Sequence, residues 1–268
     1  QDVNGNAIIS SDGSGNLTAN TLTGLTVNGN VSIDGGTIKL DGNLDANGNV
    51  QLGNATLDAI TSGLNNIGIG DNSGTSVTSG SNNTFVGDRS GELNTTGGEN
   101  TVLGSFALAS NVSGQQNTSI GRSALANNTA SNNTAVGYQA GNLNTSGSVH
   151  AFGYQALRDN TTGASNTAIG HIALRLNTTG QRNTAVGWES LDANTTGNYN
   201  TALGYLSLSS NSSGSSNTGI GYSSLQNNTA SNNTAVGYQA LTANTSGASN
   251  TAVGDTALDA NTTGSQNT

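Results

Sequence analysis

The chain has 268 residues, of which 32% are hydrophobic, 8% charged and 4% aromatic, with a formal net charge of −9 and no Pro, Cys or Met. Six basic residues scattered over an acidic chain make no phosphate-binding patch, which argues against nucleic acid or an anionic membrane surface as partner. No apolar run approaches the roughly 20 residues needed to cross a bilayer, and the charge is too low for a solvated acidic tail.

The first region spans residues 1–63. It opens at Gln1 without Met, as an excerpt or a processed chain would. The phrase Gly-Asn-apolar-x-apolar recurs at Gly15-Asn16-Leu17, Gly29-Asn30-Val31, Gly42-Asn43-Leu44, Gly48-Asn49-Val50 and Gly53-Asn54-Ala55. Its alternation predicts very short strands with one buried face. Asn28-Gly29, Asp41-Gly42 and Asn47-Gly48 suit hairpin turns, so the region reads as a β-meander or β-prism-like stalk. Such strands bury little alone, and three chains wrapped about a common apolar axis are expected, with a single-chain solenoid as the alternative. Asp34, Asp41, Asp45 and Asp58 fit neither the EF-hand nor the calcium-roll spacing and read as turn caps.

Residues 64–268 are a repeat array. Units begin at Asn66, Asn83, Asn100 and Asn117, 17 residues apart, and continue through Asn133, Val149, Asn166, Asn183, Asn200, Asn217, Asn233 and Asn250 with occasional 16-residue spacing. That period is too short for a helical-hairpin repeat and suits one coil of a parallel β-solenoid, about twelve coils in all. A helix over the Tyr-Gln-Ala-Leu stretch is rejected, because the run is short and flanked by Gly, Asn and Thr.

Each position of the unit has its expected task. The fourth is always apolar (Val86, Leu103, Ile120, Val136, Phe152, Ile169, Val186) and the ninth is usually Leu (Leu108, Leu125, Leu157, Leu174, Leu191), so these two are predicted to fill a thin core. The fifth is always Gly, where the chain should bend. The eighth is small, which lets the layers approach. Gly91 and Gly141 replace the Leu, and Leu93 and Leu143 two places later are read as compensating core residues. Asn-Thr-Thr-Gly closes the coil. The Asn before each turn, from Asn94 to Asn261, is expected to hydrogen-bond from coil to coil, and the strand Thr residues, interrupted by His150, to stack likewise. The many Asn-x-Thr/Ser matches are read as chance in so Asn-rich a chain rather than as glycosylation sites.

The phrase Asn233-Thr234-Ala235-Val236-Gly237 resembles the Asn-Ser-Val-Ala-Ile-Gly repeats of YadA-like heads in trimeric autotransporter adhesins. The longer phrase to Gly247 is similar to arrays in phage tail fibres and bacterial surface proteins. The resemblance covers residues 66–268, with longer coils here than in the adhesin heads. It implies a left-handed parallel β-roll, three chains side by side, and a role in attachment at a bacterial surface or on a virion tail.

The sixth position varies most and is expected to point outward. Its aromatics, Tyr138, Tyr154, His171, Trp188, Tyr205, Tyr222 and Tyr238, form a candidate recognition ladder for host-cell glycans or receptors. The competing expectation is that these rings cover the interface between protomers. Tyr238 and Gln239 represent the two positions read as free to vary. His150 and His171 are too isolated for a metal site or a nucleophile–base pair, and no carboxylates pair as a glycosidase requires. No catalytic, cofactor or metal residue is therefore assigned. The function expected is a structural fibre segment of an extracellular attachment protein. The alternatives are a purely mechanical filament and, more remotely, an ice-binding solenoid.

Overall fold

The computed structural model of the protein describes residues 47–268. These residues form a parallel β-solenoid of about 12 turns, with successive coils about 17 residues apart. Among them thirteen strands line up in sequence order in one parallel sheet, from β1 (Val50–Leu52) and β2 (Ile67–Ile69) to β13 (Thr251–Val253). Register is set by the repeat, so Thr184, Ala185 and Val186 of β9 (Thr184–Val186) lie beside Thr201, Ala202 and Leu203. Three-residue strands satisfy few groups within themselves, and backbone polar groups instead find their partners one coil away. The Gly187 N–H donates to Ile169 O at 2.8 Å, and the Leu191 N–H donates to Ser207 O at 2.9 Å.

The array reaches back beyond residue 64. β1 pairs in parallel with β2, and the Asn49 side chain donates to Gly63 O at 3.0 Å while accepting from Asn66. Asn47-Gly48 therefore leads into a parallel strand and turns no hairpin. The phrase Gly53-Asn54-Ala55, expected as a strand, forms a turn that leads to the buried Leu57, and Asp58 beyond it is exposed. The expectations for residues 1–46 lie outside the described residues.

The strand phase is the reverse of the one expected. The third residue of each unit faces the core (Ala135, Ala151, Ala168, Ala185 and Ala202 are fully buried) and the larger fourth residue faces out. The Leu at the ninth position explains this. Leu157, Leu174, Leu191 and Leu208 are fully buried and project from the opposite wall, leaving room beneath the sheet for Ala, Ser or Gly in most coils, with Val102 above Leu108 the exception. In one coil volume is exchanged between these two positions, and in the coil before it, where Gly68 and Gly74 are both small, Leu57 and Phe85 of the adjacent coils fill the space. Where the ninth residue is Gly91, the third is Phe85, whose ring occupies the space that a Cβ on Gly91 would need. At Gly141 the space is filled by Leu125 and by Val149, which stands where other coils have Asn. Leu93 and Leu143, expected to compensate, are 49% and 41% exposed and do not enter the core.

The Leu positions are conformationally costly. Leu174, Leu191 and Leu241 have φ of 51°, 52° and 51°, in the left-handed region that costs a side chain about 1–2 kcal/mol. Burying a Leu contributes about 1.5–3 kcal/mol, which offsets that cost coil by coil.

Two buried Asn stacks bind the coils. In the stack before the turn, the Asn177 side-chain amide donates to Asn160 Oδ1 at 2.7 Å and to Gly180 O at 3.0 Å, and its own Oδ1 accepts from Asn194 at 2.8 Å. This is the coil-to-coil bonding expected for that position. It lapses at two of the three shortened coils, where the Asn128 and Asn228 amides donate to Ala130 O and Ala230 O instead and Asn211 Oδ1 is left without a partner, and it persists at the third through Asn144. A second stack, beyond the expectations from sequence, occupies the first position of the unit. There Asn100 donates its amide to Asn83 Oδ1 at 3.0 Å and to Gly114 O at 3.0 Å. Asn177→Ala strands both neighbours in a dry interior, and we expect a loss of roughly 2–4 kcal/mol, read from the denaturant midpoint. The strand Thr hydroxyls do not bond to one another among the described residues. The hydroxyl ladder lies in the turn instead, where Thr178 Oγ1 donates to Thr195 O at 3.0 Å and Thr161 Oγ1 to Thr178 O at 2.9 Å.

Candidate interaction surface

Because the core takes the third residue of each unit, the second and fourth face outward together. The fourth builds an apolar row: Ile69, Val86, Leu103, Ile120, Val136, Phe152, Ile169, Val186, Leu203, Ile220, Val236 and Val253. Leu103, Ile169 and Leu203 are 48%, 43% and 45% exposed on the single chain. Beside it runs the Thr row from Thr84 to Thr251, broken by His150. Neither row carries an acidic residue, Lys or Arg from β2 to β13. The apolar row runs unbroken over twelve coils, and monomers seldom leave contiguous apolar patches larger than a few hundred Å² open to water.

Beyond the Gly bend lie the aromatics of the sixth position, which the coil spacing brings ring over ring. Tyr138 stacks on Tyr154 at 5.4 Å, Tyr154 on His171 at 5.0 Å, and His171 on Trp188 at 4.0 Å, with interplanar angles of 10–15°. Tyr205, Tyr222 and Tyr238 form a second stack at 5.2 Å spacing. Trp188 leans toward His171, its indole N–H donates to Glu189 at 3.0 Å, and it does not stack on Tyr205. The seven residues expected to act together thus make two stacks, of four and three rings. Internal ring faces are covered by neighbouring rings. What each stack offers a partner is its edge, its phenol hydroxyls and its end faces.

No protein family, curated protein or solved structure matches this chain.

No pocket forms, and no group of three metal-capable side chains occurs, among the described residues. Charge sits at the margins as short pairs. Arg158 donates from Nε and Nη2 to Asp159 at 2.6 and 2.7 Å, which holds its guanidinium above the ordinary value. Arg175 makes a similar fork on Asp192 at 3.1 Å, and burial raises the Asp192 carboxyl despite the opposing pull of Arg175. Arg182 lies over the Tyr199 ring at 5.3 Å and bonds the hydroxyl of that residue, so the corner before each unit is also a variable, exposed position. The sixth and seventh positions are not the only ones free to diversify.

Sequence reasoning misses the outward apolar row because it assigns the larger apolar residue to the core. One coil carries the signal: Phe85 with Gly91 shows the third and ninth positions trading volume.

Proposed function

We propose that this chain is a stiff, rod-forming segment of an extracellular attachment fibre, working as three parallel copies and not as an enzyme. The observation that carries the reading is the uncharged apolar row from Ile69 to Val253. At about 4.8 Å per coil the row runs for roughly 55–60 Å, and a second copy of the chain is a surface of the same length, period and polarity. Association about a closed rotational axis buries the row of every copy at once and leaves none for further addition. A bacterial surface or a virion tail is the setting proposed, with host-cell glycans or receptors meeting the edges of the aromatic stacks.

The assembly is tested by Val186→Asp with Leu203→Asp. Both side chains face outward, so β circular dichroism should persist while association weakens at least a hundredfold, ~3 kcal/mol or more for carboxylates forced into an apolar seam. Recognition is tested separately by Tyr154→Ser, Trp188→Ser and Tyr205→Ser together. Lost cell attachment with intact assembly supports recognition by the stacks. Lost assembly assigns those rings to the interface between copies. A second reading draws on the outward Thr row, whose regular spacing is what an ice-binding face would use. Absence of thermal hysteresis would end it.

A further inference from the structure

A rod of near-identical coils has a register problem. Sliding one copy past another by a single coil replaces Thr with Thr and one aliphatic side chain with another along most of the face. Only one coil at each end loses its partner, so staggered and aligned assemblies differ little in contact. An assembly of defined length needs a residue that breaks the translational symmetry.

Apart from Ile67, which replaces Thr at the first end of the face on β2 (Ile67–Ile69), the outward face breaks it at one coil. In β7 (Val149–Phe152), His150 is the one residue other than Thr in its row from Thr84 to Thr251, and Phe152 is the one aromatic in the apolar row. Both are exposed, and β7 is the seventh of the thirteen strands. The neighbouring positions on β6 (Thr134–Val136) and β8 (Asn166–Ile169) are Thr134 and Val136, and Thr167 and Ile169. None of these is titratable, and none is as large as the side chain it flanks. The Phe152 ring therefore stands above its row, and His150 above its own.

We infer that His150 and Phe152 are a register lock, through which parallel copies of this chain recognise one another in alignment. The inference rests on the proposed association of copies through this face. In register, the bulky side chains of all copies fall in one layer and the remaining coils close around it. Slipped by one coil, each Phe152 meets Val136 or Ile169 of the other copy and holds the faces apart at two levels. His150 then faces Thr instead of the aromatic layer. A single exceptional side chain in a uniform seam fixes register in coiled coils by the same logic.

The test moves the lock. In one variant His150→Thr and Phe152→Val remove it from β7, and Thr234→His and Val236→Phe install it on β12 (Thr234–Val236), five strands on. Wild-type and shifted chains with different mass tags are unfolded together, refolded and counted by native mass spectrometry. Aligning the locks would now leave five coils unpaired at each end. Mixed oligomers should fall at least tenfold below the binomial share, while each chain assembles with itself. Binomial mixing overturns the lock and leaves the association standing. A monomeric wild type overturns both. If the shifted chain does not assemble, the lock-free variant His150→Thr with Phe152→Val decides by sedimentation velocity. A spread of larger, staggered species supports the lock, and one sharp species of wild-type mass overturns it.

Discussion

Gly187→Ala should cost roughly 3–5 kcal/mol, among the largest effects of any single methyl group in this chain. Gly187 has φ of 134°, outside the regions an L side chain adopts, and a Cβ built there lies 2.7 Å from the Gly204 carbonyl carbon and closer still to its oxygen. The contact is with backbone, so no rotamer change relieves it. The same holds one coil away at Gly204, whose Cβ would lie 2.7 Å from the Gly221 carbonyl carbon. Relief requires opening the coil spacing, which would break the bonds from Gly187 N–H to Ile169 O and from Gly204 N–H to Val186 O, both 2.8 Å. The midpoint of chemical unfolding measures the loss. The turn is the internal contrast, because there Ala130 and Ala230 occupy the place of Gly in two of the shortened coils, whereas the bend carries Gly in every unit.

The second large effect is a compensation. Phe85→Ala empties the space of a fully buried ring and should cost about 3–5 kcal/mol. Gly91→Leu by itself should cost about 1–3 kcal/mol or more, because its Cβ would overlap the Phe85 ring. Gly91 nevertheless has φ of 58°, close to the 52° of Leu191, so the backbone there already suits Leu. Combined, the two substitutions rebuild the Ala-and-Leu coil found at Ala185 and Leu191. The double variant should therefore be more stable than either single one, with a coupling of about 3 kcal/mol. Additive losses would mean that the third and ninth positions do not share one space.

Much of this architecture is legible in the chain itself. The spacing of Asn66, Asn83 and Asn100 fixes the coil, and the Gly after each strand marks the bend. The amides between Asn94 and Asn261 bond across coils except that Asn128 and Asn228 turn theirs to Ala130 O and Ala230 O. The strand phase is not legible, for a physical reason. A three-residue strand offers one alternation, and hydrophobicity alone favours Val over Ala as the buried partner. What decides is the volume left by Leu from the far wall, and that depends on how closely the two walls approach. Val149 illustrates the same limit. By sequence it is a missing Asn, and only packing identifies it as filler beside Gly141. The aromatic ladder is legible as a set of positions. Its division at Trp188 is not, because it depends on the direction in which the indole leans.

The central claim is that the outward apolar row is covered by other copies of the chain. Sedimentation equilibrium of the whole chain at micromolar concentration tests it most directly. The predicted result is a single species of three times the chain mass, reduced toward the monomer by Val186→Asp with Leu203→Asp. A stable monomer, with the row from Ile69 to Val253 open to water, would contradict it.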